Sequence, residues 1–409
     1  MYIDMTREEA KKACFASLKK SNFTLLELPT GFGKTFTAIQ MVNHLVETKY
    51  KGKQTSMLLL VAKIVHKQTW QDEFDKWGGI KVDNLTIECY ESLKKHQYES
   101  YDIIVADEGH HLNSDKRLDL LSTLTYGNFI GLSATFPKKL KQYFQYAYHA
   151  DIVSCDLGDA IEDDVLPDPQ IVLLPLELDN TNSTEEIELN PKTKGKIYYG
   201  NYAELWKYKK MKVHAFISCT EKQRLLEYNS QILWEKNLYS RNRQDFFKNR
   251  WLHDCGERIK YLANLKNDVV KDILKKLSKE RTITFCKTIE QADYLGKHSI
   301  HSKNKESEET YNAFNARKIN HITSVNVLNE GANLVDCKFA IFANYSSSEI
   351  CSVQRCGRAL RHKSPVIILP FYKGTREEEI LTSMIEGFNR DNIIVIHNVD
   401  ALGQFTKNK

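Results

Sequence analysis

No run of apolar residues in this chain approaches the roughly 18 needed to span a bilayer. The opening MYIDMTREEA is acidic where a secretory signal is basic and then apolar. A soluble, cytoplasmic protein with no membrane partner is the expectation. The nine cysteines are scattered, and the closest pair, Cys351 and Cys356, lacks a second pair at metal-ligand spacing. That argues against disulfides and structural zinc and for reduced, mostly buried thiols. Charge of one sign is not in excess either: 58 Lys and Arg against 53 Asp and Glu give +5. A polyanionic partner must therefore be met by a local basic surface. No internal repeat is evident, and oligomeric state is not encoded in any visible pattern.

What is present is an alternation of short apolar runs with helical patterns. The 409 residues, 42% of them hydrophobic, exceed one ordinary domain and are enough for two cores. TREEAKKACFASLKK reads as an amphipathic helix. FTLLEL then stops at Pro29 and a glycine turn, and TFTAIQMVNHLVET resumes helical spacing. SMLLLVA, LTIECY, YDIIVADEGHH and NFIGLSATF continue as strands between helices, which predicts a parallel sheet covered on both faces over residues 1–155. In the helix between the first two of these, Trp70, Phe74 and Trp77 are spaced as one buried face.

The acidic, proline-ended LGDAIEDDVLPDP marks a linker at 156–168. A second α/β domain is expected over 169–409, with strands QIVLLPLEL, TITFC, INHITSV, FAIFAN and SPVIILPF. A basic, aromatic stretch containing KIYYGNYAELWKYKKMK and LYSRNRQDFFKNRW interrupts it and reads as a helical insertion at about 180–255.

Four segments carry chemistry. In TGFGKT, Gly31 and Gly33 let backbone N–H groups approach phosphates at a helix N-terminus. Lys34 would reach the β and γ phosphates, and Thr35 would ligate Mg²⁺. The alternative is a plain strand-to-helix turn, since Leu28 replaces the glycine or alanine of the full pattern. In IIVADEGHH a buried strand delivers Asp107 and Glu108 at its carboxyl end, the ligand-binding edge of a parallel sheet. Asp107 can hold the metal and Glu108 can orient and deprotonate water. In GLSATF, Ser133 and Thr135 end the next strand within reach of the acids or His110. In QRCGRALRH, Gln354, Arg358 and Arg361 share one helical face, from which arginine can stabilise a transferring phosphoryl group.

Taken together, LPTGFGKT, DEGHH, LSATF, SVNVLNEGANL and QRCGRALRH resemble the ordered motifs of superfamily two helicases, of the DEAD/DEAH-like kind in an Asp-Glu-Gly-His variant. The resemblance covers roughly residues 1–150 and 280–370. The short chain is similar to phage-type DNA helicases, which implies action in a host cytoplasm. The family implies two RecA-like domains with parallel sheets flanked by helices, ATP and Mg²⁺ in the cleft, and nucleic acid across both.

Carried over, the phosphate loop is Thr30, Gly31, Phe32, Gly33, Lys34 and Thr35, with Asp107 on the metal and Glu108 on the water. His110, Ser133 and Thr135 couple hydrolysis to domain movement. Glu330 and Gly331 link nucleotide to nucleic acid, and Gln354, Arg358 and Arg361 complete the site. The departures are Arg7 at the best placement of the adenine-reading glutamine, Ala62 where proline is usual, and Asn333 where aspartate is common.

The implied activity is an ATP-dependent DNA helicase or translocase on single-stranded or branched DNA. An RNA helicase and a non-cycling ATP-gated binding module are the alternatives. Candidate nucleic-acid contacts follow strand ends: Lys63, Lys67, Gln68, Tyr90 and Ser92 in the first domain, and Lys287, Thr288, His301, Ser302, Ser324 and Asn326 in the second. The basic insertion is a further candidate, either meeting phosphates and stacking on bases or forming a solvated helical pair that buries its aromatics.

Overall fold

The computed structural model describes residues 7–29, 31–155, 161, 167–189, 215–325, 334–345, 362–386 and 388–406. Two parallel sheets organise the chain. The first has the order β3-β2-β4-β5-β1-β6, built from β1 (Phe23–Glu27), β2 (Ser56–Val61), β3 (Asn84–Cys89), β4 (Ser100–Ala106), β5 (Thr125–Ser133) and β6 (Asp151–Ser154). Helices α1 (Arg7–Lys20), α2 (Lys34–Thr48), α3 (Ile64–Lys76), α4 (Asp115–Ser122) and α5 (Lys138–Tyr148) join and cover its strands.

Alternation along the strands shows why both faces are covered. Leu58 and Leu60 enter one apolar cluster with Phe23, Leu25, Ile104 and Phe144. Met57, Leu59 and Val61 point the other way, into a cluster with Met41, Val42, Trp70 and Phe74. With side chains alternating across the pleat, a continuous apolar run such as MLLLV is stable only when both faces are packed.

The second sheet has the order β11-β12-β10-β13-β14-β7-β15. Its strands are β7 (Gln170–Leu176), β10 (Thr282–Phe285), β11 (Ser299–Ile300), β12 (His321–Ser324), β13 (Phe339–Phe342), β14 (Val366–Tyr372) and β15 (Ile393–Val395). The strand that follows the linker, β7, pairs with β14 from Gln170↔Val366 to Leu176↔Tyr372.

Between β7 and β10, an antiparallel pair β8 (Glu185–Leu189) and β9 (Ala215–Cys219) leads into α6 (Glu221–Asn242) and α7 (Asp245–Leu265). Helix α7 runs past residue 255, the boundary expected for the insertion. It continues to Leu265, because Leu262 and Ala263 are buried and Leu262 packs with Leu225 and Tyr372 at the root of the hairpin. The remaining helices are α8 (Asn267–Lys276), α9 (Ile289–Leu295), α10 (Ser307–Asn315), α11 (Arg376–Ile385) and α12 (Gly403–Thr406).

Among the described residues no helix is long and apolar enough to cross a membrane.

Candidate active site

Strand order places the chemistry. In the first sheet β5 lies between β1 and β4, with Glu27 paired to Ser133 and Ala106 to Gly131. The segments that leave these strands therefore meet at one carboxyl edge: the phosphate loop after β1, the acids after β4, and Ser133 between them.

The loop closes onto α2 through two glycines, Gly31 and Gly33, both at φ 100. That left-handed region is sterically open to glycine, and it turns successive N–H groups inward at a helix N-terminus. Gly33 is the N-cap of α2 and brings no side chain to the helix start, the end of a helix that favours an anion. Phe32 is buried and anchors the loop. Lys34 Nζ donates to the Leu28 carbonyl at 2.9 Å, which holds the ammonium across the loop.

The two acids are held differently. Asp107 Oδ2 accepts from the Trp70 indole at 2.8 Å, and Oδ1 accepts from the Glu108 N–H at 3.1 Å. Tyr90 Oη donates to the Asp107 carbonyl at 2.7 Å. Burial, then the adjacent Glu108 charge, push the Asp107 carboxyl from 3.8 up to about 6, opposed by Trp70 and Lys34. Glu108 is buried with φ 49, a left-handed conformation uncommon for glutamate, which turns its side chain away from the strand direction.

Glu108 Oε2 lies 3.4 Å from His110 Nδ1, which is 3.0 Å from Ser133 Oγ. Ser133 Oγ donates to the Thr135 carbonyl at 2.7 Å and accepts from the Thr135 N–H at 3.2 Å. Since the serine proton is committed to Thr135, the network assigns the imidazole proton to Nδ1, donating toward Ser133. Glu108, His110, Ser133 and Thr135 thus form one connected chain.

Asp107 offers hard oxygen and Thr35 a hydroxyl at the helix start, and no group of three or more His, Cys, Asp or Glu among the described residues forms a cation cage. This donor set fits Mg²⁺, which keeps several waters and uses one or two protein ligands plus phosphate oxygens.

Two supports escaped the sequence reading. Glu27, buried at the end of β1, accepts from the Phe136 N–H at 2.7 Å, Ser154 Oγ at 2.8 Å and Lys141 Nζ at 3.0 Å. It ties the phosphate-loop strand to the Ser133–Thr135 turn and to β6. The available signal was a lone acid inside FTLLEL, an otherwise apolar central strand apart from Thr24. Trp70 was expected as core, and it is buried, but its indole N–H also serves Asp107. Trp77 is corrected: it caps α3 instead of sharing the buried face, is 42% exposed, and packs against Phe36 with ring centroids 4.4 Å apart and planes inclined at 47°.

The residues proposed for nucleic acid divide by exposure. Lys63, Ser92, Lys287, Thr288 and Ser302 are exposed or half-buried. The Lys67 ammonium is paired with Glu88 at 3.0 Å, and Gln68 donates to Asp72. Tyr90, His301 and Ser324 are buried; Tyr90 supports Asp107, and His301 Nε2 lies 3.1 Å from Asp293. Those three do not present a surface. Thr30, Asn326, Glu330, Gly331, Gln354, Arg358 and Arg361 lie outside the described residues.

Residues 3–138 match the family model described as "Type III restriction enzyme, res subunit", and residues 265–363 match "Helicase conserved C-terminal domain". The chain thus carries a domain of each of these two families, one on each parallel sheet. Its two parallel-sheet domains match the RecA-like fold of helicases. The Escherichia coli type I restriction enzyme EcoAI endonuclease subunit is 30% identical over an alignment covering 39% of this chain. The chain spans only 22% of that protein's length.

In fold, the chain is similar to Saccharomyces cerevisiae Dbp5 bound to RNA and ADP BeF3, with a TM-score of 0.59 at 12% identity over 97% of this chain and 91% of Dbp5. It is also similar to the type ISP restriction-modification enzyme LlaBIII bound to DNA, with a TM-score of 0.55 at 14% identity over 99% of this chain and 32% of that one.

The raised Asp107 pKa has a testable consequence in the nucleotide-free protein. A carboxyl at about 6 when folded against 3.8 unfolded contributes stability below the unfolded value and loses it as pH rises through the folded one. Asn carries no charge at any pH. The melting temperature of Asp107→Asn relative to wild type is therefore expected to rise between about pH 4 and about pH 8. A pH-independent difference would contradict the assigned burial of charge.

Proposed function

We propose that the chain is an ATP-dependent DNA helicase or translocase that couples hydrolysis at the Lys34–Asp107–Glu108 edge to movement along a strand. The observation that carries this reading is the connected chain from Glu108 through His110 to Ser133 and Thr135, with Glu27 joining the same turn to the phosphate-loop strand. A water-activating acid in contact with a polar relay supports a cycling motor over a non-cycling ATP-gated clamp.

In this mechanism Thr30, Gly31, Phe32, Gly33 and the start of α2 bind the triphosphate. Thr35 and Asp107 would hold Mg²⁺, which would neutralise phosphate charge. Lys34 leaves the Leu28 carbonyl for the β and γ phosphates. The Glu108 carboxylate orients the attacking water and accepts its proton. Gln354, Arg358 and Arg361 approach from the second domain and stabilise charge on the transferring phosphoryl group, and Glu330 and Gly331 connect nucleotide to nucleic acid. The nucleic-acid track runs over Lys63, Ser92, Lys287, Thr288 and Ser302, and Asn326 is a further candidate contact.

DNA as the substrate is supported by the restriction-enzyme relatives. RNA as the alternative is supported by the likeness to RNA-bound Dbp5. Release of a labelled strand from matched DNA and RNA partial duplexes distinguishes them. ATP-dependent release from the DNA duplex is expected; release confined to RNA would transfer the assignment, and ATP turnover on DNA without release would make the protein a translocase.

A further inference from the structure

Helices α6 and α7 form an arm. At 1.5 Å per residue, the 22-residue α6 is about 33 Å long, and only Arg243 and Gln244 separate it from α7. The turn is tight: Arg243 sits at φ 54 and its N–H donates to the Tyr239 carbonyl at 2.7 Å. Cross-helix ties stiffen the arm, with Gln231 donating to Asp254 at 3.0 Å, Arg258 to Asn229 at 2.8 Å, and Arg250 paired with the buried Glu235 at 2.7 Å.

The arm is rooted beside the second-domain track. Gln291 donates to the Ala263 carbonyl at 2.7 Å and to Asn267 at 2.9 Å, and it accepts from the Lys287 N–H at 2.8 Å. The root cluster of Leu225 and Leu262 includes Tyr372, the last residue of β14, which places it at the carboxyl edge of the second sheet.

The aromatics of this arm divide. Tyr239 and Trp251 stack within the hairpin at 6.1 Å. Phe246, in the first turn of α7, is 61% exposed, although the Arg250 guanidinium lies 5.6 Å from its ring. Around it, Arg241, Arg243 and Lys248 are exposed, and Asp245 is the sole acid between residues 236 and 249. A solvent-facing ring among cations matches a π-face bordered by phosphates.

We propose that this tip docks on the junction between duplex and single-stranded DNA, with Phe246 stacking on the terminal base pair and Arg241, Arg243 and Lys248 meeting the flanking phosphates. The proposal rests on the DNA motor reading and supplies its substrate class: a fork or duplex end.

The probe is a forked DNA carrying 2-aminopurine at the last base pair, titrated without ATP beside a single strand of the arm sequence. Phe246→Ala is expected to weaken fork binding about tenfold and to lose the fluorescence change, while single-strand binding stays within about twofold. Arg241→Glu with Arg243→Glu is expected to lower the salt slope on the fork by about 2. All these positions are exposed, and unchanged melting temperatures confirm folding. Variants equal to wild type on the fork would overturn the proposal, as would equal losses on fork and single strand. ATP turnover by wild type separates the two readings: no response to any nucleic acid sinks the motor, while a normal response with unaffected tip variants sinks the junction contact alone.

Discussion

Glu108→Gln is expected to lower nucleic-acid-stimulated ATP turnover by about 10²–10⁴-fold, the range of a lost general base, while ATP binding is retained or tightened. Glutamine keeps the shape of a buried side chain that approaches His110 at 3.4 Å but cannot take a proton from water. The substitution also removes the charge that, after burial, does most to raise the Asp107 pKa. The Asp107 carboxylate then ionises more readily. The kinetic signature is a fall in kcat with KM unchanged or lower. A variant that keeps kcat and raises KM would make Glu108 a binding group and leave the water without a base.

The second large effect is on folding. Lys266, between α7 and α8, is fully buried, with its ammonium 2.5 Å from Glu377 Oε1 and 4.7 Å from the centre of the Tyr345 ring. Glu377 Oε2 accepts from the Tyr372 N–H at 3.1 Å, and Tyr345 Oη donates to the Pro370 carbonyl. Burial lowers the Lys266 pKa, and Glu377 opposes that shift. This pair ties the root of the α6–α7 arm to α11 and to the ends of β13 and β14.

Breaking a buried pair strands its partner, at a cost of about 3–5 kcal/mol. Lys266→Met alone is expected to lose that much in urea unfolding. Lys266→Met with Glu377→Gln is expected to recover most of it, because the amide oxygen still accepts from Tyr372 and no charge is left unpaired. A double variant as unstable as the single one would show that packing, not the orphaned carboxylate, sets the cost.

At the carboxyl edge of the first sheet, the elements that carry the candidate residues were legible where local geometry dictates them. A glycine turn between a strand and a helix, and two acids at the end of an apolar strand, are patterns of neighbouring residues. Period-two and helical spacing carried them to the correct elements. What escaped depends on residues distant in sequence. The Trp70 indole reaches an acid delivered by another strand, and Glu27 finds Phe136, Lys141 and Ser154 through the β5-β1-β6 order. Tyr90 looked like a surface residue following a strand end, yet its hydroxyl is spent on the Asp107 carbonyl. Trp77 kept the helical spacing of Trp70 and Phe74, but the helix stops at Lys76, which puts its ring outside. The pairing of β7 with β14 is long-range register, which no window of sequence contains.

The most direct test of the account is steady-state ATP turnover by the wild-type chain with Mg²⁺, with and without saturating single-stranded DNA. Coupling of the acid pair to a nucleic-acid track predicts at least about tenfold stimulation, of the size a positioned catalytic group supplies. Turnover that is substantial but indifferent to both DNA and RNA would contradict it.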